Sequence, residues 1–442
     1  MSNELISILV LVLIFLIGTT LSINMGVLGI VAAFVVGTAM GVSEDDIFLG
    51  FPGDLFIILV GVTYLFGIAS ANGTVNWLVH ASIRAVGGRV AAIPWVFFLV
   101  IAAMTASGAV VPGAVAIVAP IGLGFALTYG INPMLMGLMI INGATAGGFS
   151  PISVFGSIVN GVVEREDLAE NATLLFVSSF LFNLVLSVIV FFLFGGRELL
   201  RRKVDTEPSG RFERRKEEEA AATGGRPPMA GGSATTFDAG EMPALDRDKI
   251  LTLIGIVTLI VVALAFDVDV GFVALSIALV LSLVNPQGTK DAVSKVAWPT
   301  VLLICGIVTY VTLMENMGTI DWLGEQVTKI GAPLLAALII CFIGGAVSAF
   351  ASTTGILGAL IPLAVPFLET GAVGAVGLII ALSISSSVVD SSPFSTSGAL
   401  TVANTPAEKR DYVFKGLMRW GMSMVLVAPP IAWLVFVVPG WL

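Results

Sequence analysis

Histidine and cysteine are almost absent from this chain. One histidine, His80, and two cysteines, Cys305 and Cys341, occur in 442 residues. A lone histidine cannot build a histidine-based metal or catalytic cluster, and two cysteines inside apolar runs make neither a disulfide framework nor a metal set. Charge is scarce as well: 12% of residues are charged, against about 25% in soluble domains. A soluble fold of this size could not cover its surface with so few charges. The net charge of −9 removes the basic face that a nucleic-acid partner requires. No acid–base pair stands out, so the chain does not read as an enzyme, and no organic cofactor is expected.

What is present is hydrocarbon. Apolar residues make up 57% of the chain and mean hydropathy is +1.02. The few charges are organised. Residues 197–249 hold 11 of the 21 Lys and Arg and 11 of the 30 Asp and Glu. This stretch, with Arg201-Arg202-Lys203, Glu217-Glu218-Glu219 and Pro227-Pro228, has too few large apolar residues to order itself. Residues 197–248 read as a flexible linker between two membrane halves. The N-terminal apolar run, with no basic residue before it, does not read as a cleavable signal.

About 20 apolar residues cross the hydrocarbon layer. Candidate spans lie near 5–22, 26–42, 54–71 and 171–196, then near 250–266, 270–285, 298–315 and 413–437. Between them, 90–162 and 331–405 are apolar but interrupted by Gly, Pro, Ser and Thr. Five crossings and one re-entrant hairpin per half put 19 of 21 Lys and Arg on the linker's side, leaving Arg165 and Lys329 opposite. The positive-inside rule makes that side cytoplasmic and both termini external.

The halves also repeat in sequence. Thr63-Tyr64 matches Thr309-Tyr310. Gly73-Thr74-Val75-Asn76-Trp77-Leu78 matches Gly318-Thr319-Ile320-Asp321-Trp322-Leu323. Ala119-Pro120-Ile121 matches Ile361-Pro362-Leu363. Ser150-Pro151-Ile152-Ser153 matches Ser392-Pro393-Phe394-Ser395. The matches keep one order and a nearly constant spacing, as a duplication would. Odd halves are inverted relative to each other, a mark of secondary transporters with a midplane site. The fold expected is an all-α polytopic membrane protein. It has two inverted repeats of five transmembrane helices, each with a re-entrant hairpin and a broken helix. Short amphipathic stretches at 74–87 and 319–330 should lie along the membrane surface.

Irregular backbone at membrane depth is costly unless it lines a cavity, so the interruptions are the candidate site. Two are hairpin tips, at 105–113 and 348–355. Two are Ser-Pro motifs, Ser150-Pro151 and Ser392-Pro393, where serine as N-cap and proline at the first helical position would start new half-helices. Helix N-termini carry free N–H groups and about half a positive charge, which suits an anion. The carbonyl ends of the preceding half-helices suit a cation. Near them stand Asn142, Thr145, Gly147 and Gly148 in one half, and Ser385, Ser386, Ser387 and Asp390 in the other. Asp390 is the acid at membrane depth, and a functional candidate on that ground.

The tip Ser352-Thr353-Thr354, followed by Pro362, resembles the Ser-Asn-Thr tip of divalent-anion/sodium symporters. Ser150-Pro151 and Ser392-Pro393 stand where that group has its Gly/Thr/Pro-rich breaks, and the N-terminal half resembles the malonate carriers among bacterial dicarboxylate transporters. The resemblance implies an elevator-type homodimer in the cytoplasmic membrane. Residues 1–89 and 249–330 would form a scaffold, and 90–196 and 331–442 a moving transport domain. It implies a small dicarboxylate held by Ser107, Ser150, Pro151, Ser153, Ser352, Thr353, Thr354, Ser392, Pro393 and Ser395. Sodium would sit at Ser107, Asn142, Thr145, Gly148, Thr353, Ser387 and Asp390. The chain departs from the pattern at the first tip, where Val110-Val111-Pro112 stand in place of the hydroxyl motif. The function expected is sodium-coupled symport of a malonate-like diacid. A sodium/proton antiporter with Asp390 alternating between ions is the second reading.

Overall fold

The computed structural model describes residues 3–21, 23–85, 89–166, 168–169, 171–201, 244–266, 268–319, 322, 332–349, 353–369, 371 and 373–440; these are helical, with no strand among them. Ser352 and nearly all of the linker lie outside the described residues. The first half runs α1 (Asn3–Thr20), α2 (Met25–Met40), a short α3 (Glu44–Leu49), α4 (Gly53–Ala71), α5 (Thr74–Ala85), α6 (Ile93–Ala106), α7 (Val111–Thr128), α8 (Pro133–Gly147), α9 (Val154–Arg165) and α10 (Ala172–Leu193), then the short α11 (Gly196–Arg201). The second half runs α12 (Arg247–Phe266), α13 (Val270–Val284), α14 (Trp298–Asn316), α15 (Pro333–Ser348), α16 (Thr353–Glu369), α17 (Ala375–Val388), α18 (Thr396–Ala403) and α19 (Ala407–Ala432).

Each expected span coincides with one helix: α1, α2, α4 and α10, then α12, α13, α14 and α19. Among the described residues, six stretches are long and apolar enough to cross a membrane: Gly53–Ala71, Val111–Thr128, Ala172–Leu193, Trp298–Asn316, Ala375–Ala403 and Ala407–Val437. The interrupted regions form helical hairpins, α6/α7 and α15/α16, each followed by a broken helix, α8/α9 and α17/α18. Local chemistry sets the boundaries. Asn24 accepts from the Gly26 and Val27 amides at the start of α2, and Gly41, at φ 80°, ends it. Asn132 with Pro133 starts α8 in the same manner. The amphipathic helix expected over 74–87 is α5. Its counterpart at 319–330 lies outside the described residues except for Thr319 and Trp322.

The most extensive packing between the halves is at two crossings, α2 on α14 and α4 on α13. Both are backbone-to-backbone. A Cβ on Gly306 would lie 1.9 Å from the Gly26 carbonyl oxygen, and one on Gly61 would lie 2.4 Å from the Gly271 carbonyl oxygen. Glycine is required because any side chain would push the helices apart, as at small-residue crossings in membranes generally. Polar ties close both ends of the bundle. The Tyr310 hydroxyl donates to the Ser7 carbonyl at 2.9 Å, and Ser7 Oγ meets Thr319 Oγ1 at 2.9 Å. Arg165 pairs with Asp54 near the same end. At the other end Asn72 donates to Thr252 at 2.7 Å and Asn285 donates to Asp248 at 2.6 Å. In the first turn of α12, Lys249 donates back to the Ala244 carbonyl at 2.9 Å and to Asp246 at 2.5 Å, and the latter bond holds the Asp246 carboxyl below its ordinary range.

Gly306→Ala should therefore cost at least about 1–3 kcal/mol of stability, the overpacking range. Gly124→Ala is the control: it sits inside α7 with nothing within 4 Å of its Cβ position, and should be neutral or stabilising by up to about 1 kcal/mol. Thermal unfolding in detergent reads both; equal melting temperatures would overturn the assignment of Gly306 to a backbone contact.

Candidate functional site

The breaks in α8/α9 and α17/α18 are built alike. Ser153 caps α9, accepting from the Gly156 amide at 3.2 Å. Its hydroxyl also reaches back to the Gly148 carbonyl and to the Ser150 carbonyl, the latter at 2.7 Å. Ser395 caps α18 identically, with the Gly398 amide at 3.2 Å, the Asp390 carbonyl at 2.5 Å and the Ser392 carbonyl at 2.7 Å. The expected half-helix starts at Ser150-Pro151 and Ser392-Pro393 are thus corrected by three residues. Those motifs occupy the connecting turns, and the next serine in each takes the cap. Proline at the turn rather than at the first helical position lets the second serine close three backbone groups at once.

Each hairpin tip rests on the break of its own half. At the first, Gly108 takes φ 114°, and its Cβ position would lie 2.5 Å from Val62 Cγ1 on α4 and 3.3 Å from the Ile152 carbonyl oxygen. No L side chain fits there. Ser107 donates to the Ala103 carbonyl at 2.6 Å, one turn back on α6. At the second tip, Thr353 is buried and donates to Asp390 Oδ1 at 2.6 Å. Ser348 Oγ stands 2.8 Å from Thr353 Oγ1, and because the threonine proton is committed to the carboxylate, Ser348 is the donor. The Ser386 carbonyl lies 3.4 Å from the same Thr353 oxygen. Thr354 is buried beside it.

The residues expected to gather here do so unequally. Thr353 and Asp390 meet directly. Ser387 turns to its own helix, reaching the Ile384 carbonyl at 3.4 Å. In the first half, Thr145 donates to the Ile141 carbonyl at 3.0 Å and Asn142 to Ser187 on α10 at 3.3 Å. Ser150 and Ser392 are buried in the turns, and Ser392 Oγ accepts from the Phe394 amide at 3.3 Å. Ser352 lies outside the described residues. Two further oxygens belong to it, Ser348 from the expected tip and Ser386 from the serines expected beside Asp390, though neither is among the expected substrate or sodium ligands. The signal was local for both: Ser348 closes the helix before the tip, and Ser386 stands one helical turn before Asp390. Ser386 Oγ is fully buried and has no hydrogen-bond partner among the described residues.

A cavity of about 160 Å³ lies elsewhere, among Asn72, Asp246, Asp248, Thr252, Asn285 and Thr289 at the ends of α4, α12 and α13. Its two carboxylates would repel an anion, so the breaks are the better candidate for a charged substrate.

Paired broken helices are the form in which secondary transporters build a midplane site. The sequence comparisons decide which kind. Residues 1–148 match the model of the dicarboxylate carrier protein MatC N-terminus, and residues 238–433 match the sodium:sulfate symporter transmembrane region. The first half thus carries a dicarboxylate carrier domain and the second a divalent anion:sodium symporter domain. No curated protein matches the chain in sequence. Its fold is similar to the crystal structure of the Alcanivorax borkumensis YdaH transporter, described as having an unusual topology. That match has a TM-score of 0.57 and 12% identity, and it covers 89% of this chain and 88% of that one. It establishes the fold; the family models establish a multi-pass secondary transporter.

Replacing Ser153 or Ser395 by alanine removes a cap and two hydroxyl-to-carbonyl bonds from a buried break. Each should cost about 1–2 kcal/mol, read as a lower melting temperature. Ser276→Ala is the control, since that serine bonds only its own helix at an exposed position. A shift no larger than the control's would mean that the caps do not hold the breaks.

Proposed function

We propose that this symporter carries a small, malonate-like dicarboxylate across the bacterial cytoplasmic membrane, driven by sodium. The observation that carries the reading is the joining of Ser348, Thr353 and Asp390 where the second hairpin tip meets the second break. A carboxylate and hydroxyls, all hard oxygen ligands, suit a sodium ion. The capped breaks and the helix starts at Val111 and Thr353 supply amide dipoles for the anion, with Ser150, Pro151, Ser392, Pro393 and Thr354 lining its place. Ser153 and Ser395 hold the turns that present it. The family supports sodium coupling and a divalent anion. Coupling also has a physical reason: a dianion entering a negative interior climbs about 2.3 kcal/mol per charge per 100 mV, a cost that co-bound cations offset.

Residues 1–196 and 249–442 form the two inverted repeats, and their swapped pairing supports this. At the repeat spacing Gly26 corresponds to Gly271 and Gly61 to Gly306. The contact of Gly26 with Gly306 therefore maps onto that of Gly271 with Gly61. Likewise α7 packs on α18 and α16 on α9. The domains read from the sequence carry over: 1–89 and 249–330 as the scaffold, 90–196 and 331–442 as the part that moves in an elevator cycle within a homodimer. The polar ties support the topology, because each joins residues that the charge count puts on one face. Asn72 with Thr252, Asn285 with Asp248, and Asn132 with Tyr412 lie on the cytoplasmic side. Ser7 with Thr319 and Arg165 with Asp54 lie outside, with both termini.

Proteoliposomes holding the full chain should accumulate labelled malonate under an inward sodium gradient and not without one. Asp390→Asn and Thr353→Val should each lower that uptake about tenfold or more, the effect of losing a hydrogen bond to a charged group, with expression intact. Sodium-driven pH change without diacid uptake would sink the symport reading and favour the antiporter.

A further inference from the structure

The second-half cluster has a counterpart in the first half that can be named residue by residue. Its four oxygen-bearing side chains are Ser348, Thr353, Ser386 and Asp390. The spacing that aligns Pro120 with Pro362 and Ser150 with Ser392 aligns these four with Ala106, Val111, Ala144 and Gly148. The local structure supports each pairing. Ala106 ends α6 as Ser348 ends α15, and Val111 starts α7 as Thr353 starts α16. The Gly148 carbonyl accepts from the Ser153 hydroxyl as the Asp390 carbonyl accepts from that of Ser395. A Cβ on Gly148 would lie 3.0 Å from Val111 Cγ2, so these two positions face each other as Asp390 and Thr353 do. They meet without a side-chain oxygen between them.

Other first-half oxygens do not replace the missing ones. The Gly148 carbonyl also accepts from the Gly156 amide at 3.1 Å. Thr105 donates to the Ile101 carbonyl at 3.0 Å, and Ser107, Thr145 and Asn142 are committed as described. At the second break Ser386 Oγ, fully buried against Gly344, has no hydrogen-bond partner among the described residues; the first-half oxygens in that condition, Ser179 Oγ and Asn183 Oδ1, stand on α10 and not on the tip or the break. An unsatisfied buried oxygen one turn from a carboxylate is what a bound cation would satisfy.

Resting on the sodium-coupled reading above, we propose that each chain holds one coupling cation, in the second half, and that the repeat-related position in the first half holds none. One sodium ion then moves with each substrate molecule. A diacid carrying one proton moves without net charge, and a full dianion carries one negative charge inward.

Equilibrium binding of ²²Na⁺ to the purified full chain, without substrate, tests this directly. One ion per chain is expected, with affinity reduced tenfold or more in Asp390→Asn and in Thr353→Val and unchanged in Thr145→Val. Two ions per chain, no bound ion, or binding lost in Thr145→Val and kept in Asp390→Asn would each overturn the inference. The wild-type count does not depend on any variant folding. In proteoliposomes the ratio of ²²Na⁺ to labelled malonate taken up should be one, and a ratio of two overturns the inference. One bound ion without malonate uptake supports the single site while sinking the substrate reading, so the two failures are distinguishable.

Discussion

A chain crossing hydrocarbon must satisfy its own backbone, and here Ser153 and Ser395 do so at the two places where the helix stops and restarts. Each gathers two carbonyls and one amide around one hydroxyl. Without that closure a break inside the membrane would leave several polar groups bare, at several kcal/mol apiece. With it, the turn becomes a rigid platform. The hairpin tips rest on these platforms, and the carboxylate of Asp390 is presented from one of them toward Thr353.

The same economy explains why the chain has so little charge at depth. Under the proposed reading, amide dipoles and hydroxyls would stand in for the arginine or lysine of soluble anion sites, at a smaller desolvation cost, and the one carboxylate would be left to a cation. The glycine crossings serve the site indirectly. Backbones in contact at Gly26–Gly306 and Gly61–Gly271 hold α2, α4, α13 and α14 as one frame, against which the first hairpin is seated through Val62 at Gly108 and the second through Leu303 at Gly355.

Much of this was legible in the sequence because hydrocarbon thickness and glycine chemistry act locally. Each uninterrupted run became one helix, and each Gly-Ser-Pro cluster became a tip or a break. The helix restart was misplaced by three residues because the Ser-Pro pair and the serine three positions on compete for the cap, and only the folded turn decides between them. The hydroxyl partners were less legible. Thr145, Ser107 and Ser387 could bond their own helix or an ion, and sequence does not distinguish these where an intrahelical carbonyl is always in reach. Ser386 and Ser387 are neighbours with opposite outcomes, because a helix turns each residue by about 100° and the facing helix, α15, meets only one of them.

Within the span from Ala375 to Ala403, 89% of an apolar 18-residue stretch is buried inside the protein, against 44% for such a stretch of Ala172–Leu193. A helix enclosed this way has almost no lipid-facing surface of its own. Its serines at 383, 385, 386 and 387 make it a poor candidate for entering the bilayer unaided as it leaves the ribosome. One helix that packs along it, α19, follows it in the chain. Enclosure of this serine-rich helix therefore has to wait for α19, so removing α19 would uncover a buried polar face rather than a peripheral anchor.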